Sequence, residues 1–360
     1  MSPHVRRFVI IALLLGAVAL VARAPENSDR SLYVRMGQQG IVLDCSDIHC
    51  FRPLVPFVVE RLPGPSPMKW KLYAVLTSAA AAVATGRLCL VLGLSARAAG
   101  FATWIAAFGF GPLNAVFDPY TADPLMYFLG PWLTADLLRR QLGRATLVAS
   151  LGVLGKEFAA APMWMFALLT ALQRRWPLTA RATLSATTAT LVWFALHTIL
   201  MTLFNYTYGP NPSVDLFGGG YLRSWIAALG PSGAIVALLA TSGPIVVLMA
   251  AGLRRSDSTL RLLAVSAIPA AAAFAYVQQP DRALWNFAFV AVPIAVLALA
   301  ESSNVLCWLF VVCYGVGNLR LGVSQPPFFL AFRAAMIAIA MGVAVLASIT
   351  SLKRERPADT

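Results

Sequence analysis

The stretch LDCSDIHCFRP, residues 43–53, holds most of the side-chain types that perform acid–base or metal chemistry. Its aspartates, Asp44 and Asp47, are candidates for a general base, because one carboxylate can stay ionised while the other, or an arginine, adjusts its pKa. The alternative is that both are solvated loop acids. We treat Asp44 and Asp47 as the candidate catalytic residues, and His49 and Arg52 as candidates for substrate binding.

Two cysteines, Cys45 and Cys50, lie within the same stretch. A Cys-x4-Cys pair can hold a metal, but zinc sites usually need a second pair of ligands, and the other polar loops offer none. A disulfide between Cys45 and Cys50 is the favoured interpretation if this loop lies in an oxidising compartment. No cofactor is expected, although a divalent metal remains open.

A lysine–glutamate pair and an arginine occur where apolar stretches meet polar ones. Lys156 and Glu157 stand together in LGVLGKEFAAAP, and such a pair is costly in a bilayer unless its members are paired or line a cavity. Arg282 can bind phosphate oxygens through its planar guanidinium, or extend to lipid headgroups. We expect Lys156 and Arg282 to line a single phosphate pocket, with Glu157 orienting Lys156 and Arg333 as a further candidate cation of the same pocket.

The turn FDPYTADP carries two further acids, Asp118 and Asp123. Asp123 precedes a proline, which is the pattern of a helix start, so it can be either a helix cap or a site residue. Asp118 lacks that explanation. We therefore add Asp118 to the candidate substrate-binding residues.

The elements that position these residues are expected to be membrane helices. Hydrophobic residues make up 59% of the 360 positions and charged residues 12%, against about 25% charged in an ordinary soluble domain. Apolar runs near the ~20 residues needed to cross a bilayer recur along the chain. We expect an all-α polytopic membrane protein of about 12 transmembrane helices, forming one domain over residues 1–360. The predicted spans are 8–23, 70–94, 100–116, 124–138, 145–156, 158–173, 183–204, 230–252, 260–276, 285–300, 304–318 and 328–351.

The net charge of +13 is concentrated in alternate loops. Arginines cluster in SARAAG, LLRRQLGR, QRRWPLTAR, LRRSDSTLR and the tail after Lys353. The positive-inside rule then predicts that these loops and both termini are cytoplasmic. A nucleic-acid partner is not expected, because such proteins gather basic residues on one soluble face. Ala22-Arg23-Ala24 resembles a signal-cleavage site, but Pro25 disfavours cleavage, so the first helix is expected to stay.

Residues 24–69 form the first outer loop, which is much longer than the other connections. Its first part, PENSDRSLYVRMGQQG, is polar and predicted to be flexible. Its second part, FRPLVPFVVERLPGPSP, has the apolar spacing of a short amphipathic helix at the membrane surface. A loop of this length is usually functional.

Four of these features together resemble the GT-C superfamily of membrane glycosyltransferases, and among them bacterial inner-membrane proteins of that shape. They are the acids of the first outer loop ahead of FRPLVP (Asp44 and Asp47), the Asp118–Pro119 turn, the Lys156–Glu157 pair, and Arg282 leading into a helix that contains Pro293.

The resemblance implies an inverting transfer from a polyprenyl-phosphate-linked sugar to a glycan or lipid acceptor, at the outer face of the bacterial inner membrane. It implies that Asp44 or Asp47 is the base and that Lys156 and Arg282 hold the lipid phosphate. No soluble C-terminal domain is expected after the last span, which disfavours a protein acceptor. Two other functions stay open, a secondary transporter and a non-catalytic membrane partner that keeps the fold. Membrane lipids are expected partners, and the sugar, acceptor and oligomeric state are not indicated.

Overall fold

The computed structural model describes residues 2–26 and 28–353. Met1, Asn27 and the charged tail 354–360, which was assigned to the cytoplasmic side, lie outside the described residues. The helices are, in chain order, α1 Pro3–Val21, α2 Ser28–Gln39, α3 Leu54–Glu60, α4 Ser66–Val91, α5 Ala96–Phe108, α6 Phe110–Phe117, α7 Asp123–Leu138, α8 Leu142–Gly152, α9 Ala161–Leu172, α10 Trp176–Phe204, α11 Gly220–Thr241, α12 Gly243–Arg255, α13 Ser258–Val277, α14 Pro280–Trp285, α15 Ala288–Leu299, α16 Asn304–Asn318 and α17 Pro327–Lys353.

The fold is all-α, as predicted. Across residues 2–26 and 28–353 the only β pairing is an isolated bridge between Ser46 and Thr207. Seven helical stretches are long and apolar enough to cross a membrane, namely α1, α4, α5 with α6, α10, α11, α13 and α17. Shorter apolar helices cover Glu157–Leu172, Ala288–Leu299 and Asn304–Asn318. The chain is therefore a multi-pass membrane protein.

The predicted span over 230–252 is wrong as a single helix. The structure divides this region between α11 and α12, which meet at Ser242. Gly230 has φ +70 and precedes Pro231, and Gly243 precedes Pro244 at the start of α12. Proline has no amide hydrogen to donate and its ring clashes with the preceding turn, so each Gly-Pro pair interrupts the helix. A hydropathy pattern does not register either interruption.

The polar segment after α1 is folded, which corrects the prediction that it is flexible. α2 buries Leu32, Tyr33 and Met36, and the Tyr33 ring stacks on Trp70 of α4 at 5.4 Å between centroids. α3 is the predicted amphipathic helix, although it is only seven residues long. Although α2 is polar on average, its apolar residues lie on one face of the helix. That face is buried because α3 and α4 cover it.

The two ends of the helix bundle differ in composition. At one end, which we call the loop face, residues 22–65 meet the connections near residues 118–123, 153–157, 205–219 and 278–281. At the opposite end, which we call the arginine-rich face, Arg97 donates to the carbonyls of Ala300 and Ser302, and Arg255 pairs with Glu301 at 3.1 Å. All of the candidate site residues belong to the loop face.

The contact between α12 and α15 predicts a strong effect of one added methyl group. A Cβ at Gly252 would lie 1.9 Å from the carbonyl oxygen of Ile294, and a backbone atom within a packed core cannot move away cheaply. We expect Gly252→Ala to destabilise the protein by about 1–3 kcal/mol, measured by thermal unfolding in detergent. Gly342→Ala is the control, because a Cβ there has no neighbour within 4 Å. Equal stability of the two variants would contradict the α12–α15 packing.

Candidate active site

A cavity of about 820 Å³ opens at the loop face. It is built from parts of the chain that lie far apart in sequence: α2, the turn after the Cys45–Cys50 loop, the turn before α7, the turn before α9, and the start of α14. Six of the eight predicted catalytic and substrate-binding residues line it, namely His49, Arg52, Asp118, Lys156, Glu157 and Arg282. Packing therefore brings the predicted substrate-binding residues into one chamber.

Asp123 is the residue on which the cations of the cavity converge. It is the first residue of α7 and is 1% exposed. Lys156 Nζ lies 2.8 Å from its Oδ1, and Arg282 donates from Nε to its Oδ2 at 2.9 Å and also from Nη2. Thr121 Oγ1 accepts a hydrogen bond from Arg282 Nη2 at 3.0 Å. Lys156 and Arg282 are thus neighbours across one buried carboxylate.

The partner of Glu157 differs from the prediction. Glu157 accepts two hydrogen bonds from Arg52, from Nε at 2.9 Å and from Nη2 at 2.6 Å. Lys156 is held by Asp123, so Glu157 does not orient it as predicted. The reason is geometric: Arg52 presents a planar fork that matches both carboxylate oxygens, and a lysine ammonium cannot.

The disulfide loop lies beside the cavity. Cys45 and Cys50 are bonded, with their Cα atoms 6.4 Å apart. Asp44 has φ +56 and is exposed, and Asn205 Nδ2 donates to its Oδ1 at 2.6 Å. Backbone contacts of Asp44 with Phe204 and of Thr207 with Cys45 attach this loop to the end of α10. Asp44 does not line the cavity.

Asp47 contacts His49 instead of the cavity. Its Oδ1 accepts from the His49 backbone amide at 2.8 Å and lies 2.7 Å from His49 Nδ1. Partial burial alone would raise the pKa of Asp47, but the hydrogen bonds and the attraction from His49 hold it below its usual value. A catalytic role for Asp44 or Asp47 stays a prediction, and the acids that themselves line the cavity are Asp29, Asp118 and Glu157.

His49 and its neighbour Ile48 are the residues of the disulfide loop that line the cavity. The ring of His49 meets Tyr33 edge-on at 5.8 Å, and its Nδ1 lies 3.8 Å from Asp29 Oδ1. Tyr33 is buried, which raises the pKa of its hydroxyl, and it interacts with Arg52. α2 thus contributes Tyr33 to the wall of the cavity and also contributes an acid, Asp29.

Apolar and aromatic side chains form another wall of the cavity, among them Phe158, Trp193, His197 and Val277. Phe158 stacks on Phe274 at 3.6 Å, and His197 stacks on Phe51 at 4.5 Å. The cavity therefore combines a charged half with an apolar half, which suits a ligand with a polar head and an apolar chain.

Several residues in or beside the chamber were not among the predicted site residues. Asp123 was left between a helix cap and a site residue, because Asp-Pro at a helix start is explained by capping alone. Asp29 and Tyr33 lie in the segment that was predicted to be flexible. The sequence held one signal for these residues: aspartates occur both in the first outer loop and in the FDPYTADP turn, which were predicted to lie on the same side of the membrane. In the described ranges, no three His, Cys, Asp or Glu side chains come together as a metal-binding group.

Comparison with known proteins gives structural matches only. No protein-family model matches the chain, and no curated protein matches it. The apo oligosaccharyltransferase of Archaeoglobus fulgidus aligns with a TM-score of 0.52 and 13% identity, over 99% of this chain and 58% of that one. The same enzyme tethered to an acceptor peptide through a disulfide aligns with a TM-score of 0.50 and 13% identity, over 96% and 55%.

A third structure, the oligosaccharyltransferase AglB of the same organism with an inhibitory peptide and a dolichol-phosphate, aligns with a TM-score of 0.49 and 13% identity, over 96% of this chain and 56% of that chain. The chain thus spans little more than half the length of the proteins that it matches. Identity at this level bears on the fold and not on the reaction. The predicted resemblance is confirmed at the level of the fold alone, which is similar to that of the Archaeoglobus fulgidus oligosaccharyltransferase.

Proposed function

We propose that this protein transfers a sugar from a polyprenyl-phosphate donor to a glycan or lipid acceptor at the outer face of a bacterial inner membrane. The observation that carries the proposal is that one cavity at the loop face is lined by Lys156, Arg282 and His49 together. Its volume of about 820 Å³ falls in the range of about 300–1,000 Å³ usual for small-molecule sites. The GT-C fold supports the same reaction class.

The phosphate of the donor would bind at Lys156 and Arg282. Lys156 is 1% exposed, and a charged side chain so deeply buried needs compensation from partners or from a ligand. Nη1 of Arg282 has no hydrogen-bond partner among residues 2–26 and 28–353, since Asp123 and Thr121 contact only Nε and Nη2. This free edge of the guanidinium can donate to phosphate oxygens while Asp123 holds the other edge.

The prenyl chain would leave the cavity along its apolar half. Phe158 and Trp193 stand there, where they can contact hydrocarbon while the phosphate stays beside the cations. By the positive-inside rule the arginine-rich face is cytoplasmic in this proposal and the loop face is external. The leaving phosphate and the acceptor would then meet at the outer surface of the membrane.

The reaction is tested by incubating the purified protein, reconstituted in vesicles, with radiolabelled polyprenyl-phosphate mannose or glucose and a total membrane lipid extract as acceptor. We expect label to move from the donor to a new product and polyprenyl phosphate to accumulate. Heat-denatured protein is the control. Passage of intact donor across the vesicle membrane would instead favour a transporter, and donor binding without turnover would favour a non-catalytic partner protein.

A further inference from the structure

We propose that His49 is the catalytic base of this site and that Asp47 is a positioning residue that acts through it. This inference rests on the proposed glycosyl transfer and specifies how the first outer loop would take part. It separates the roles of the two aspartates in LDCSDIHCFRP, which the sequence leaves equivalent. It also makes a residue that lines the cavity the acceptor of the proton from the acceptor hydroxyl.

The geometry of the pair supports this assignment. A carboxylate only accepts hydrogen bonds, so the 2.7 Å contact between Asp47 Oδ1 and His49 Nδ1 requires the proton on Nδ1. The neutral ring then carries its lone pair on Nε2, and Nε2 has no hydrogen-bond partner among the residues that the structure describes. Asp47 also accepts from the His49 backbone amide at 2.8 Å. Two contacts from one carboxylate oxygen thus fix both the tautomer and the position of the ring.

The local fold explains why this arrangement is stable. Asp47 is the N-cap of the 3-10 helix Ile48–Phe51, and the Cys45–Cys50 disulfide closes the same short loop. Cys50 and Phe51 are buried. The backbone that carries His49 is therefore held from both sides, which limits the motion of the ring relative to the cavity.

Two other candidate bases, Asp44 and His197, are less suited to the role. Asp44 is exposed outside the cavity, where its carboxylate accepts from Asn205. His197 lines the cavity, but its Nδ1 is paired with the carbonyl of Trp193 at 3.0 Å, and a neutral carbonyl stabilises an imidazolium less than a carboxylate does. Asp29 also lines the cavity and lies 3.8 Å from His49 Nδ1. It adds negative charge beside the ring, and the variant Asp29→Asn below tests it as an alternative base.

The step balances as an inverting displacement. The acceptor hydroxyl oxygen forms a bond to the anomeric carbon of the sugar while the bond from that carbon to the phosphate oxygen breaks. The electron pair of the broken bond stays on the phosphate, beside Lys156 and Arg282. The hydroxyl proton passes to Nε2 of His49, and the carboxylate of Asp47 stabilises the imidazolium that results. The proton is later released to water.

The test is the pH dependence of transfer by His49→Gln, Asp47→Asn and Asp29→Asn, with polyprenyl-phosphate mannose or glucose as donor. We expect His49→Gln to lower the rate by about 10²–10⁴-fold and to lose the acid limb of the profile, with donor binding retained. The charged and titratable groups around the ring are Asp47, Asp29, Tyr33 and, behind Tyr33, Arg52. Asp47→Asn should lower the rate of transfer but keep the acid limb, because Asp47 acts only through the ring of His49.

The control is His4→Gln, which changes a histidine at the start of α1, far from the loop face, and should leave transfer unchanged. Transfer by His49→Gln at the wild-type rate, with its acid limb intact, would overturn the role of His49. So would loss of the acid limb in Asp47→Asn or Asp29→Asn while His49→Gln keeps it, since the carboxylate would then be the base. No transfer by the wild-type protein would overturn the proposed function itself, which distinguishes the two failures.

Discussion

Replacing Asp123 by asparagine is expected to destabilise the folded protein by about 3–5 kcal/mol, the usual loss when one member of a buried ion pair is removed. Asp123 is 1% exposed and contacts both Lys156 and Arg282. Asparagine keeps the shape of the side chain but not its charge, so the buried Lys156 ammonium would lose its counter-ion. The measurement is equilibrium unfolding in mixed detergent micelles.

Asp136→Asn is the matched control, since Asp136 is a second buried aspartate on the same helix. It accepts from Trp132 and pairs with Arg144, whose side chain is 47% exposed. Arg144 can therefore exchange the lost carboxylate for water, and the expected loss is about 0–1 kcal/mol, as for a surface pair. In the double variant Asp123→Asn with Lys156→Met, part of the stability should return, because no ammonium is then left buried. Similar losses in Asp123→Asn and Asp136→Asn would show that Asp123 is not the central partner of the cations.

Arg282→Ala is expected to weaken binding of a polyprenyl-phosphate donor by about 1.5–3 kcal/mol, as for a charge-assisted hydrogen bond. The loss corresponds to roughly 10–150-fold in the dissociation constant. Lys156 would still neutralise Asp123 in this variant, so the folded state should persist. The measurement is a titration of the purified protein with polyprenyl phosphate, and it requires no turnover.

The control for donor binding is Arg333→Ala. Arg333 donates to the carbonyl of Gly317 and to Gln325, and it is not among the residues that line the cavity. Its removal takes away the same charge from the chain without touching the chamber. If the two variants bind polyprenyl phosphate equally well, the phosphate site does not include Arg282 and the charged half of the cavity needs another ligand.

The features that sequence predicted well depend on local properties of the chain. Apolar runs, the arginines of alternate loops and the amphipathic spacing of FRPLVPFVVE are each contained in a short window, and they predicted an all-α membrane protein. The prediction failed over 230–252, where two Gly-Pro pairs interrupt an apolar run. It failed again at α2, because the apolar face of that helix is hidden in a polar composition and is buried only against α3 and α4.

The partners of the charged residues were decided by the tertiary structure. Arg52 pairs with Glu157, which is 105 residues away in the sequence, and Arg282 pairs with Asp123, which is 159 residues away. Such a pairing depends on which helices are adjacent and on where each connecting turn lies along the axis of the helix bundle. No local sequence pattern contains this information. The expected pairing of neighbours, Glu157 with Lys156, was therefore wrong although both residues were chosen correctly as candidates.

By itself, the amino-acid sequence determined that this protein is a multi-helix membrane protein and which loops carry its charged residues, because hydropathy and loop charge act on each segment separately. Only the tertiary structure decided that Asp123 unites Lys156 with Arg282, and that His49 lines the cavity while Asp47 stands behind it. The physical reason is that a buried charge must be compensated by a partner. That partner can come from any part of the chain that helix packing brings within about 3 Å, the length of a hydrogen bond.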